Sequence, residues 1–160
     1  MIRLAGLVLL AAAGALAGAV RAAELFRRVR LLEILDRTLQ HFGAGIRYGA
    51  RPLEELISRE EDCPFCRAAR ELPSFGEDPR QALLEAGETL LHRPGDRAFL
   101  EELIRPLGSS DAQGQLEHLE LCRQRLAGML DSARTRRDRD ARLGVAVGAF
   151  GGLALGLILW

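Results

Sequence analysis

Cys63-Pro64-Phe65-Cys66 sets two thiols three positions apart, the spacing of a dithiol redox motif in which a helix N-terminus acidifies the first thiol. Such motifs ordinarily follow a strand in an α/β domain, and this chain shows no sustained strand alternation. His118 and Cys122 are four apart, so on a helix they share one face. Together Cys63, Cys66, His118 and Cys122 have the ligand types of a tetrahedral Cys3His zinc site that would clip a loop to a helix. The competing reading makes Cys122 a core position in a helix seam, with His118 beside it and the paired cysteines as small loop hydrophobes. This second reading is preferred, so neither metal nor cofactor is expected. His41 and His92 have no companion at ligand spacing and read as solvated surface or cap residues. Glu54 with Glu55, and Glu101 with Glu102, read as solvated helix faces. No Gly-rich phosphate loop, Ser-centred elbow or paired-carboxylate arrangement stands out. An enzyme with a small-molecule substrate is therefore not expected.

The elements that would hold these side chains are helices. Leu25, Val29, Leu32, Leu35, Leu39, Phe42 and Ile46 recur at spacings of three and four, the seam of a long helix that continues to about Tyr48. Gly49 and Pro52 break it, and Pro52 in a first-turn position, followed by Leu53, Leu56 and Ile57, opens a short second helix. Residues 63–73 form a Pro-interrupted connection with room for a turn of helix. Asp78 caps a helix begun by Pro79, whose buried face is Ala82, Leu83, Ala86 and Leu90. Pro94-Gly95-Asp96 is a turn signal, with Asp96 capping a helix that carries Phe99, Leu100, Leu103 and Ile104. Pro106 and Gly108 end that helix. Ser110 or Asp111 caps the last one, with its seam at Leu116, Leu119, Cys122, Leu126 and Met129. No Pro follows Pro106, so this helix is expected to run unbroken into the C-terminal apolar run. The domain reads as all-α.

Two runs lack any charge, residues 4–20 and 143–160. Each is long enough to cross a hydrocarbon core of ~30 Å as a slightly short helix at ~1.5 Å per residue. The expected organisation is an N-terminal transmembrane helix over 1–20, a cytoplasmic helical bundle over 21–142 and a C-terminal transmembrane helix over 143–160. Arg21, Arg27, Arg28 and Arg30 follow the first run and outnumber Arg3 before it. Arg134, Arg136, Arg137, Arg139 and Arg142 precede the second. Both asymmetries hold the middle of the chain inside and both termini outside. The first also argues against a cleavable signal peptide, which Arg3 and the Ala/Gly-rich stretch would otherwise allow. Leaving and re-entering the membrane on one face makes the first and last helices of the domain antiparallel neighbours. All 22 basic side chains are Arg, against 22 acids, a balance that argues against a nucleic-acid binder, which needs a net positive face. Three cysteines on the cytoplasmic side should stay reduced, so no disulfide framework is expected.

Gly144, Gly148, Gly152 and Gly156 recur every fourth residue, and Gly14 and Gly18 share that spacing in the first run. In lipid such a stripe lets helix backbones approach closely. It is either a packing surface or the filling of an Ala/Gly-rich segment. Its partner could be the other anchor, a second copy or a different membrane subunit.

The stretch Ile46-Arg47-Tyr48-Gly49-Ala50-Arg51-Pro52-Leu53-Glu54-Glu55, with Leu107-Gly108-Ser109-Ser110-Asp111 leading into Gln115, His118 and Leu119, resembles stage III sporulation protein AB. An Arg-Leu-x-Gly start at residues 3–6 and a closing hydrophobic helix extend the resemblance over nearly the whole chain. It implies a non-catalytic component of the sporulation channel complex in the membrane that the mother cell wraps around the forespore. The bundle would face the mother-cell cytoplasm, with both termini on the opposite side of that outer forespore membrane. The family is similar to the cytoplasmic F domain of the type II secretion and type IV pilus platform protein, which Gly49-x-x-Pro52-Leu53-x-Glu55-Leu56 also resembles. The implied fold is an antiparallel bundle of about six helices flanked by two transmembrane helices. By analogy the partners are other membrane subunits of the complex and its cytoplasmic ATPase. Two features depart from that pattern: the Cys-Pro-Phe-Cys element, and a single domain where secretion platforms carry two.

Overall fold

Proline and glycine punctuate this chain into helices. The structure, a computed structural model, describes residues 2–49 and 51–158, and the side chains of residues 16, 18–49 and 51–140. Among the described residues there are six α-helices and no strand: α1 (Ile2–Gly49), α2 (Leu53–Arg59), α3 (Pro64–Arg70), α4 (Pro79–Leu90), α5 (Pro94–Ile104) and α6 (Ala112–Ile158). A short 3-10 turn, Pro73–Gly76, joins α3 to α4. The chain divides into two compact units, a bundle unit over Leu31–Gly128 and a terminal unit of Met1–Arg30 with Met129–Trp160.

In the bundle unit the starts of the helices follow from local chemistry. Asp78 accepts from the backbone N–H of Arg80 at 2.9 Å and of Gln81 at 3.3 Å, with Pro79 at the first helical position of α4, where its missing N–H costs nothing. Asp111 caps α6 by accepting from Gly114 N–H at 3.0 Å. Pro52 itself is the cap residue of α2, in extended conformation. The expected Asp96 cap is not formed: Pro94 starts α5, Arg93 is its cap residue, and Asp96 lies buried inside the first turn. Proline at the first helical position sets φ for helix, so the apparent turn is absorbed into α5. The Pro-interrupted connection at 63–73 is more ordered than its sequence suggests, since α3 makes nearly two turns of it. Gly108 closes the α5 side of the last loop at φ +77°, a left-handed conformation that favours glycine.

The core of this unit is the expected seam of α1, Leu32, Leu35, Leu39, Phe42 and Ile46, closed by side chains from every other helix, among them Ile57, Phe65, Leu83, Leu103 and Leu126. Arg123 on α6 meets Asp36 on α1 at 3.4 Å, while Leu116 lies opposite Gly43. Rising numbers on one helix thus face falling numbers on the other, and the two run antiparallel. Side chains tie the short helices together at their ends: Arg70 donates to the Ser58 carbonyl at 2.6 Å, and Arg97 to the Leu91 carbonyl at 2.6 Å.

The terminal unit joins the remaining parts of α1 and α6. Leu25, Val29, Leu130 and Ala133 are buried in it, and the Arg137 guanidinium lies 5.4 Å from the centroid of the Phe26 ring, a cation–π contact. Leu16 and Val20 are exposed. Among the described residues no helix is long and apolar enough to cross a membrane. The runs expected to do so, 1–20 and 143–160, fall outside the described side chains apart from residues 16 and 18–20.

Candidate functional site

The sequence motif with the clearest chemistry is built into the bundle core. Cys63 is the cap residue of α3 and Pro64 its first helical residue, which puts the Cys63 sulfur at the helix start, accepting from Cys66 N–H at 3.4 Å. The Cys66 thiol donates to the same sulfur, and this holds the Cys63 pKa down at about 6 against burial, which opposes it. The Thr38 hydroxyl and the N–H groups of Cys66 and Phe65 add to the lowering. Thr38 belongs to the seam side of α1 and is itself buried. Nothing in the sequence near Cys63 pointed to it, because its position is set by tertiary packing across 25 residues. The same thiol–thiol bond, with burial and the nearby Cys63 and Glu60 charges, pushes Cys66 far above the ordinary thiol range. Both cysteines are 1% exposed. The adjoining cavity, walled by Leu35, Phe42, Phe65 and Leu100, holds only about 20 Å³, room for a water molecule at most. As folded, this is a dithiol sealed from any substrate.

The second pair stands apart from the first. His118 Nε2 lies 3.1 Å from the Leu103 carbonyl oxygen, which only accepts, so Nε2 is the donor. The Cys122 sulfur sits 3.6 Å from the same nitrogen and is buried in the α6 seam. Burial pushes the Cys122 thiol up, the Glu102 carboxylate adds to this, and Arg125 works against it. The structure therefore brings Cys63 to Cys66 and His118 to Cys122, but not the two pairs to one point. Among the described residues no group of three or more His, Cys, Asp or Glu side chains is placed to hold a metal ion. The Cys3His zinc arrangement is not formed. His118 is spoken for by a backbone carbonyl, and α3 uses its own thiols to close its first turn.

The surface of the bundle unit carries two open grooves. One, about 690 Å³, follows α1 and α6 past Leu39, Gly43, Arg47, Leu116 and Glu120. The other, about 420 Å³, is lined by His41, Tyr48, Arg51, Arg59 and Glu60 where α1 gives way to α2. His41 is 65% exposed, as a surface histidine should be, yet it has a partner, with Nδ1 at 2.9 Å from Glu60. His92 is exposed. Glu55 is shared by Arg51 and Arg59, while Glu101 pairs with Arg105 and Glu102 with Arg125. These acids thus take arginine partners on the helix faces where the sequence placed them. Tyr48 is 84% exposed beside the second groove.

Charge is sorted between the two units. The bundle unit holds 12 arginines and 18 acids, a net of −6, and the terminal unit 10 arginines and 4 acids, a net of +6. The neutral total conceals this division. Of the glycine stripe, Gly14, Gly144, Gly148, Gly152 and Gly156 lie outside the described side chains. A Cβ on Gly18 would meet no described atom within 4 Å.

The model of the stage III sporulation protein AB family matches residues 3–160. The chain belongs to that family. No curated protein and no solved structure matches it.

Proposed function

We propose that this stage III sporulation protein AB family member is a non-catalytic platform subunit of the sporulation channel complex. Residues 1–20 and 143–160 anchor it in the outer forespore membrane, the bundle unit faces the mother-cell cytoplasm, and both termini lie on the opposite side. The family match over residues 3–160 carries this reading. An all-helical bundle among the described residues agrees with it, as does a dithiol closed to substrates. The subunit supports assembly through its anchors and engages the complex's ATPase through its bundle. Tyr48 is the favoured contact, because it is an exposed aromatic bordering a groove and tyrosine is enriched among residues that dominate binding.

A photo-crosslinking residue in place of Tyr48, activated in sporulating cells, tests the partner. Capture of the complex's ATPase is the expected result. Capture of other membrane subunits alone would reject the ATPase role and leave the membrane role standing. Replacing Cys63, Cys66 and Cys122 together by Ser tests the rival reading of a membrane-tethered thiol protein. Spore formation is expected to persist, whereas the thiol reading requires its loss.

A further inference from the structure

We propose that the arginine zone of the terminal unit is a recognition surface for anionic phospholipid headgroups, so that the chain gathers acidic lipid around itself. The inference rests on the membrane reading above but goes beyond it, since an anchor needs only hydrocarbon and shows no choice of headgroup.

One contact fixes the level of the zone. Arg137 over the Phe26 ring brings α1 and α6 together at that level. Arg21, Arg27, Arg28 and Arg30 lie within five residues of Phe26, and Arg134, Arg136, Arg139 and Arg142 within five of Arg137. At ~1.5 Å per residue that confines nine arginines to a band reaching about 7.5 Å either way along the helix axes. The terminal unit offers only Glu24, Asp131, Asp138 and Asp140 against them. Asp138 is adjacent to Arg137 and pairs with it at 2.8 Å. Arg21, Arg27, Arg30, Arg136 and Arg139 have exposed side chains.

Charge of this density attracts anionic groups, even with Arg28 and Arg134 engaged within the protein, and continuity decides which ones. The band directly adjoins the two charge-free runs, 4–20 and 143–160, so once those enter hydrocarbon Arg21 and Arg142 lie at headgroup depth and the other arginines within about 15 Å of the hydrocarbon edge, where the field of an anionic leaflet still reaches. Guanidinium groups bind phosphate in a planar, bidentate fashion. Each basic residue near an anionic leaflet strengthens attraction roughly five-fold. Orientation by positive charge acts during insertion, whereas headgroup binding persists in the assembled protein.

The test uses the full chain reconstituted in vesicles of phosphatidylcholine with and without phosphatidylglycerol. Spin-labelled versions of the two lipids then report their relative association with the protein. The native chain is expected to favour phosphatidylglycerol several-fold, and to lose that preference as salt rises, because screening acts within a Debye length of ~10 Å at 0.1 M. The combined variant Arg27→Gln, Arg30→Gln, Arg136→Gln and Arg139→Gln should bring the preference to near unity. Replacing Arg67, Arg80, Arg93 and Arg105, four arginines of the bundle unit, should leave it unchanged. Equal association of both lipids with a retained native chain would overturn the inference, as would a preference indifferent to salt, and this readout needs no variant to fold. A preference for duplex DNA over phosphatidylglycerol vesicles would also overturn it. A chain stripped from both vesicle types by alkaline carbonate would instead overturn the membrane reading, and this inference with it.

Discussion

Cys63 and Cys66 titrate as one unit, since the thiol of the second is the main stabiliser of the thiolate of the first. An unfolded chain holds both near the ordinary value of 9.0, while folding takes Cys63 down to about 6 and Cys66 up. The depressed Cys63 contributes stability that is complete above about pH 9 and is lost as pH falls through about 6. The raised Cys66 acts in the opposite sense, present below the unfolded value and lost as pH climbs past it. Denaturant midpoints of the native chain in detergent should therefore rise between pH 6 and 9 relative to Cys63→Ala, and fall back above that window. A constant difference across it would mean that Cys63 is protonated in the fold. Ultraviolet thiolate absorbance gives a second check, with Cys66→Ala expected to move the Cys63 midpoint up toward the ordinary thiol value. The sequence exposed part of this site. Cys-Pro-Phe-Cys has the spacing of a helix-start dithiol, yet its preferred reading as loop filler hides α3, and the seal over it and the Thr38 hydroxyl come from α1 and could only be found in three dimensions. The alternative zinc set is not assembled among the described residues for a related reason: four-residue spacing puts His118 beside Cys122 but carries no information on where α3 docks.

Helices were legible wherever an apolar stripe and a cap agreed. The seams of α1 and α6, and α4 with its Asp78 cap, follow from periodicity and from residues with a defined role at a helix start, although Leu90, Leu116 and Met129 are only half-buried while Gly87 and Leu130 are buried. Replacing Asp78 by Ala should cost about 1 kcal/mol in denaturant unfolding, because two backbone donors lose their acceptor. Proline conceals the α5 start and α3, because in sequence it reads as a breaker while in the structure it stands at a helix's first position. Glycine shows the same dependence on context. Gly87 in α4 is buried, and a Cβ there would run into the Leu100 side chain of α5. Gly128 in α6 is exposed, with no described atom within 4 Å of a Cβ. Gly87→Ala is therefore expected to destabilise by roughly 1–2 kcal/mol, as overpacking outweighs the gain in helix propensity. Gly128→Ala should stabilise by about 0.5–1 kcal/mol through reduced freedom of the unfolded chain. A thermal melt in which Gly87→Ala raised the midpoint would contradict the helix packing of α4 on α5.

At the scale of the molecule, the division of charge into −6 and +6 was hidden by a formal sum of zero. A sum over the whole chain carries no information on where charge sits, so two oppositely charged units emerge only once the contacts divide the chain. The continuity of α6, by contrast, was readable from the absence of proline after Pro106, and the helix does extend over Ala112–Ile158. Under the proposed platform role this continuity is the path by which force on the bundle reaches the anchor, since every residue added to an unbroken helix is fixed by a backbone hydrogen bond. A flexible Gly-Ser insertion after Ala141 should sever that path while sparing what lies on either side. The expected outcome is an unchanged bundle melting temperature, unchanged retention in membranes washed with alkaline carbonate, and loss of spore formation. An equally long insertion of helix-forming Ala and Glu residues should preserve more function than the Gly-Ser one, because length alone does not interrupt the helix. If both insertions leave spore formation intact, coupling through α6 is lost as a mechanism, and the two units act through separate partners.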